Sequence, residues 1–268
     1  METKKNGGGT PGKRTGKGDA RYLWYALSWV LLAAFLAFWQ LSATNRWVNP
    51  TIVSMPSKIW DRFVSMVSNG SLFNHIGSSL GRVLQGFLTG GITGLLLGLL
   101  MGLSPRFEAV SSLFVSLLRP IPPIAWIPIL ILAMGIGEES KVAVISIGSF
   151  WPMLLDTING VRSVDKQLLE LGDVLEKDRK TKILRLVLPS AIPSIFTGAR
   201  QAISRAWSCV VTAEMIAASS GVGFLIQYGR ELSQPPLMFV GVTVIGLIGL
   251  AIDWLTSRLE RRLLYRNR

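Results

Sequence analysis

Residues 165–185, DKQLLELGDVLEKDRKTKILR, form a charged stretch between two long apolar ones, and they close on LVLPSAIP at 186–193 before the chain turns apolar again. From Gln167 onward, Leu168, Leu171, Val174 and Leu175 recur at helical spacing among Glu170, Asp173, Glu176 and Lys177. A second piece follows, with Ile183, Leu184, Leu186 and Val187 before Pro189. An apolar stripe on a polar connection has to be covered, either by a soluble partner that offers a groove or by the chain's own bundle. Composition alone leaves both open.

The flanking stretches set the solvent. At 268 residues, 49% hydrophobic and 16% charged, with mean hydropathy +0.42, the chain falls in the membrane class. A spanning helix needs about 20 mostly apolar residues, and six stretches qualify: 22–41, 78–103, 110–134, 140–158, 191–217 and 237–255. Backbone groups in hydrocarbon must pair within their own segment, so these are helices, and no ten-residue alternation argues for a barrel. The expected architecture is all-α, polytopic, with six transmembrane helices.

The net charge of +12 raises the question of nucleic acid, and its placement answers it. Nineteen of the 28 Lys and Arg residues lie in the N-terminal tail, the loop holding Arg106, the 160–188 loop and the C-terminal tail. That asymmetry puts both termini and the 160–188 loop on the cytoplasmic side, as six spans require. The basicity reads as topology, so no nucleic acid is expected. The single Cys209 and single His75 exclude an internal disulfide and leave no Cys/His metal site. Residues 1–20, rich in Gly, Lys and Thr, are expected to be disordered. Their GGGTPGKR falls one residue short of a phosphate-binding loop, because Arg14 stands where Ser or Thr would hold magnesium. The first apolar stretch exceeds a signal-peptide core and reads as a retained span.

Three features shape the membrane part. Residues 57–69 place Ile59, Trp60, Phe63, Val64 and Val67 opposite Lys58, Asp61 and Arg62, a short helix on the outer surface that either packs on the bundle or docks a partner. In the second span Gly86, Gly90, Gly94, Gly98 and Gly102 repeat at intervals of four, a bare stripe for close helix packing. In the third span LLRPIPPIAWIPIL (117–130) carries Pro120, Pro122, Pro123 and Pro128, which remove backbone donors. Broken backbone at membrane depth is tolerated where it is buried or lines a cavity, so the segment is either a mere kink or a pathway wall, with Arg119, Pro122, Pro123 and Trp126 as the candidates for the wall. Arg200, Arg205 and Glu214 join them as ionisable groups within the fifth span. Arg200 and Arg205 are about 140° apart around the helix, so one of them attracts an anion or pairs structurally without the other. For Glu214, Asp156 and the substrate are the competing partners. No Ser/His, Cys/His or paired-carboxylate arrangement supports catalysis.

LELGDVLEKDRKTKILRLVLPSAIPSIFTGARQAISRAW (169–207) resembles the EAA-loop region of binding-protein-dependent ABC transporter permeases, especially the taurine, aliphatic sulfonate and nitrate group. The resemblance extends through LLRPIPPIAWIPILILAMGIGEESKV (117–142), AWSCVVTAEMIAASSGVGFLI (206–226) and RLERRLLYR (258–266). Glu170 matches the motif's opening acid, Leu171 and Gly172 stand for its two alanines, and Leu188 with Pro189 match its closing Leu-Pro. One residue departs: the motif's glycine, six after the acid, is Glu176, and the turn there is expected to differ.

The resemblance implies a type I ABC importer permease fold, with residues 21–258 as the permease domain, 1–20 as a cytoplasmic tail and 259–268 as a basic cytoplasmic tail. It implies a bacterial inner-membrane protein that moves a small anion inward by alternating access: a sulfonate, taurine, nitrate, bicarbonate or organic carboxylate. It further implies a second permease subunit, as a homodimer, in surrounding membrane lipid. Two cytoplasmic ATP-binding subunits that hold the ATP and magnesium would grip Leu168, Glu170, Leu171, Gly172, Val174, Leu175, Glu176, Leu188 and Pro189, and an external solute-binding protein would deliver the solute. No cofactor belongs to this chain. The alternative, an ion-coupled secondary transporter, would work without an ATPase; no internal repeat supports it.

Overall fold

The computed structural model describes residues 17–49 and 52–264, and among them every regular element is helical. Two compact units divide between Ser57 and Lys58. The first is built on α1 (Lys17–Thr44), whose apolar window Leu27–Thr44 is long enough to cross a membrane. Residues 17–20, expected to be disordered, are the first turn of α1. The rest of the expected tail, with GGGTPGKR, lies outside the described residues.

The second unit opens within α2 (Pro56–Ser68), which splits its apolar face. Ile59, Phe63 and Val67 pack on a cluster of Met66, Leu72, Val222, Leu225, Leu237, Val240 and Val244, while Trp60 and Val64 stay exposed. The bundle reading therefore accounts for half of that face. Next comes α3 (Ser71–Leu103), which begins seven residues before the expected span. Its two stripes explain its position. Gly86, Gly90, Gly94, Gly98 and Gly102 face α6 (Glu138–Arg162): a Cβ on Gly90 would lie 2.1 Å from the Ser146 carbonyl oxygen, and one on Gly94 would lie 2.6 Å from that of Phe150. Half a turn away, Leu84, Leu88, Ile92, Leu96 and Leu100 are exposed. One face approaches a backbone and the other is left for lipid.

The proline-rich span does not form a single helix. The chain runs as α4 (Pro105–Leu118), a 3-10 turn (Pro123–Trp126) and α5 (Ile127–Met134), with the two arms bent by 86°. Pro120, Pro122 and Pro123 supply no N–H and push the preceding residues out of the helical region. Among the described residues five helices are thus long and apolar enough to span, and the bent pair, counted as one broken span, brings the number to six.

At the centre α3, α6 and α9 (Leu188–Ala217) pack together, with α10 (Val222–Glu231) and α11 (Pro235–Leu264) against α9. Val83, Ile145, Ala206, Trp207 and Val210 form the core where they meet. The small residues Ala202, Ala206 and Gly198 on α9 are all buried. Residues 259–264 of the expected C-terminal tail are the last turns of α11, and 265–268 lie outside the described residues.

Candidate functional site

The connection between α6 and α9 folds as a hook. Its first arm is α7 (Lys166–Val174) and its second is α8 (Arg179–Lys182), which continues through a π-helical turn (Ile183–Val187) into α9, with Pro189 in the first turn. Between the arms the Glu176 N–H donates to the Asp173 carbonyl at 2.9 Å and the Lys177 N–H to the Gly172 carbonyl at 3.0 Å, the bond pattern of a Schellman motif. That motif needs a left-handed residue after the cap, and Glu176 supplies it at φ 52°. The expectation of a different turn is therefore corrected: the glycine conformation is kept by a glutamate. Asp178 then caps α8, accepting from the Thr181 hydroxyl at 2.5 Å and the Thr181 N–H at 3.2 Å, and those bonds hold its carboxyl below the ordinary range.

The hook is seated by one face. Val164 and Val187 are buried with Val161 and Ala191, and Leu99, Leu103, Leu169 and Ile195 pack around them. Lys182 pairs with Asp173 across the arms, and a Cβ on Gly172 would come within 3.0 Å of the Lys182 side chain. Arg179 donates to the Leu103 carbonyl at 3.4 Å, at the end of α3. The other face is uncovered among the described residues: Leu168, Val174, Leu175 and Leu184 are exposed, Val174 by 79%, with Glu170 and Glu176 beside them. Leu171 lies on α7 and Leu188 begins α9, half-buried.

A second feature is a cleft of about 450 Å³ between the broken span, α6 and α9. Arg119, Pro122 and Pro123 line it from the break, Trp151, Pro152, Asp156 and Asn159 from α6, and Gln201, Arg205, Ser208 and Cys209 from α9. Proline 152 lacks the N–H that would bond the Gly148 carbonyl one turn back, and Gly148 also lines the cleft. The Gln201 amide donates to Asp156 Oδ2 at 2.7 Å. Arg119 and Arg205 make no ion pair or side-chain hydrogen bond among the described residues, and the Trp151 indole N–H has no partner. Trp126 lines a neighbouring apolar cavity of about 440 Å³ that shares Trp151 as a wall. Two of the seven pathway candidates lie elsewhere. Arg200 is held by Asp253 at 2.8 Å and Glu260 at 3.2 Å on α11. Glu214 belongs to a buried network at the end of the bundle opposite the hook.

That network corrects the expected pairing of Glu214 with Asp156 or substrate. Glu214, 1% exposed, accepts from Arg82 Nη1 at 2.7 Å, from the Ser79 hydroxyl at 2.8 Å and from the Gly223 N–H at 2.9 Å. Arg82 also grips Glu138 with two bonds, at 2.5 and 2.8 Å, and donates to the Ser220 carbonyl at 2.6 Å. Lys141 completes it on Glu138 at 2.8 Å. Two cations meet two anions, the exposed Glu138 among them, so the network as a whole carries no net charge. The network binds α3, α6, α9 and the turn before α10, where the Val222 N–H donates to Ser79 and the Gly221 N–H to His75 Nδ1. Sequence reasoning missed Arg82, Glu138 and Lys141. The usable signal was Arg82 itself, a cation deep in an apolar span that requires a buried acid. Among the described residues no three His, Cys, Asp or Glu side chains gather as a metal site.

Over residues 90–265 the sequence matches the family of binding-protein-dependent transport system inner membrane components. The chain belongs to that family. It is 36% identical, over 93% of its length and 91% of the relative's, to the putative aliphatic sulfonates transport permease protein SsuC of Bacillus subtilis. Against the taurine transport system permease protein TauC of Escherichia coli the identity is 30%, with 87% of this chain and 86% of that one covered. Against the nitrate import permease protein NrtB of Leptolyngbya laminosa it is 30%, with 94% and 91% covered. The fold resembles inward-facing structures of the MetNI methionine ABC transporter with a TM-score of 0.63, covering 71% of this chain and 95% of that one at 18% identity. The permease is thus all-α with the type I importer fold and is a multi-pass inner-membrane component of an ABC transporter.

Proposed function

We propose that this permease carries a small anionic solute inward by alternating access, driven by two ATP-binding subunits that grip the hook. The observation that carries the reading is the division of the hook into two faces. Val164, Leu169 and Val187 fix it to α3, α6 and α9, and Leu168, Val174 and Leu175 offer an uncovered apolar stripe to a groove. A pull on the stripe is delivered to the helices that line the cleft. Closure of the ATPase pair thereby biases the bundle between two states.

The solute assignment rests on the cleft and the relatives. Arg119 and Arg205 are uncommitted guanidinium groups that line one cavity, suited to a sulfonate, nitrate, bicarbonate or carboxylate. The named relatives handle aliphatic sulfonates, taurine and nitrate. The full assembly has a second copy of this chain, two ATPases that hold ATP and magnesium, and an external solute-binding protein. Both termini face the cytoplasm with the hook.

The test is Val174→Asp with Leu175→Asp in the reconstituted complex. Liganded binding protein should no longer stimulate ATP hydrolysis or uptake, while the permease reaches the membrane in normal amount. Undiminished uptake removes the hook from the mechanism.

A further inference from the structure

Two apolar cavities that solute transport does not use lie along α4, the first arm of the broken span. One, of about 230 Å³, reaches from Phe107 in the first turn of α4 to Leu118 in its last, against Leu97 and Met101 of α3 and Leu154 of α6. The other, of about 440 Å³, continues from Leu118, Phe150 and Trp151, which the two share, to Gly90 and Thr89. Measured on α3, Met101 to Thr89 is twelve residues, about 18 Å at 1.5 Å per residue. One leaflet of the hydrocarbon core is about 15 Å deep. The hydroxyl groups of the second cavity call for no polar guest: Thr93 donates to the Thr89 carbonyl at 2.8 Å, Ser146 to the Val142 carbonyl at 2.7 Å, and Thr89 and Ser146 bond each other at 2.5 Å. The helix α4 itself closes little of this groove, since none of its residues is buried and Val115 is its contact with the core of Met101, Leu154 and Ile158.

The end of the groove at Phe107 is basic. Arg106 stands in the first turn of α4, Arg179 of the hook donates to the Leu103 carbonyl at 3.4 Å, and Arg162 pairs with Glu108. Asp178, the other acid of this corner, is engaged with Thr181. Arg106 and Arg179 are exposed and have no acid partner among the described residues.

We propose that the groove seats one acyl chain of an anionic phospholipid from the leaflet on the hook's side, with the lipid phosphate at Arg106 and Arg179. Guanidinium groups take phosphate oxygens with paired N–H bonds, and basic residues where helices meet the membrane surface select anionic headgroups. A zwitterionic headgroup brings an ammonium to the same corner and is disfavoured. The chain supplies the dispersion contacts that the sparse packing of α4 leaves unmade. Trp151 also lines the solute cleft, so the seated lipid and the cleft share a wall.

The complete complex is reconstituted in phosphatidylethanolamine vesicles with a tracer of phosphatidylglycerol that carries a diazirine midway along one acyl chain, and in parallel with phosphatidylcholine bearing the same chains. After illumination the adducts on this chain are located by peptide mass spectrometry. Leu97, Phe114 and Phe150, on the groove wall, should take label from phosphatidylglycerol about twentyfold more than from phosphatidylcholine, about fivefold for each of two cations at the surface. Val110, Leu113 and Leu117, exposed on α4 and outside the groove, should take both lipids alike. Arg106→Gln and Arg179→Gln should each lower the groove preference about fivefold. Ser111→Trp, which fills the cavity beneath α4, should remove groove label from both lipids. Groove label that is equal for the two lipids, or indifferent to both arginine substitutions, overturns the anionic site. Label that survives Ser111→Trp places the chain outside the groove and overturns it likewise. Groove residues left unlabelled while Val110, Leu113 and Leu117 are labelled also overturn it and give the groove to protein, a second copy of this chain being the first suspect.

Discussion

The two ends of the bundle handle charge in opposite ways. At one end Arg82, Lys141 and Glu214 are buried with Glu138 at their rim, and the bonds of Arg82 join α3 to α6, to α9 and to the turn before α10. At the other end the hook's pair, Lys182 with Asp173, joins two arms of one short segment near water, and its apolar residues Val174 and Leu175 are uncovered. A buried pair is expensive to break, because removal of one partner strands the other away from water. An exposed pair contributes about 0–1 kcal/mol. The network end is therefore built to hold one arrangement, and the hook end is built to be held by something else.

The comparison breaks most visibly at Arg82. Arg82→Ala leaves Glu214 buried without its cation and should cost about 3–5 kcal/mol, seen as a large fall in the thermal midpoint of the detergent-solubilised permease. Arg82→Leu with Glu214→Leu should recover much of the loss, because neither charge is then stranded. If single and double variants fall equally, the network is not the fastening described. Lys182→Ala, at the hook, should move the midpoint little.

Next in size is the seam that carries force between the ends. Gly90→Ala drives a methyl against the Ser146 carbonyl, whereas the Gly91→Ala methyl meets only Phe87 at 3.6 Å. Both gain the same helix propensity, so the difference isolates the steric term. Gly90→Ala should be less stable than Gly91→Ala by about 1–3 kcal/mol. Equal midpoints would mean that α3 and α6 are not packed as tightly as the glycines require.

The asymmetry then predicts a functional split. Val174→Asp with Leu175→Asp, on the exposed face, should leave the midpoint within about 0.5 kcal/mol of the unmodified value, since surface changes away from packed features do little. It should lower coupled uptake at least about tenfold. A fall in stability to match the fall in uptake would assign those side chains to packing.

How much of this was legible in the sequence follows from the range of the forces involved. The spans, the glycine stripe and the broken proline segment were readable because each is local: hydropathy, spacing and missing donors act within a few residues. The hook's helical stripe was readable for the same reason, though periodicity could not say that Leu169 faces the bundle while Leu168 faces away. The partner of Glu214 was not readable. Ser79 and Arg82 lie more than 130 positions from it, and only the packing of α3 on α9 brings them together. Helix geometry ruled out Arg205 on the same helix and could not choose among the others.

Glu176 gives the smallest and sharpest test, because there sequence logic read the residue correctly and the backbone wrongly. A glutamate in place of glycine implied a different turn, yet the paired bonds from Glu176 and Lys177 keep the left-handed geometry. A side chain in that region costs about 1 kcal/mol against glycine, a strain outweighed by the Schellman bonds, the Asp178 cap and the seat of Val164 and Val187. Glu176→Gly should therefore stabilise the hook by about that amount without altering its shape. Hydrogen exchange is the measurement: protection of the Glu176 and Lys177 amides should rise about fivefold while that of α3 stays put. A drop in protection would mean that the Glu176 side chain helps to hold the turn, and the hook would then depend on its own charges as the opposite end does.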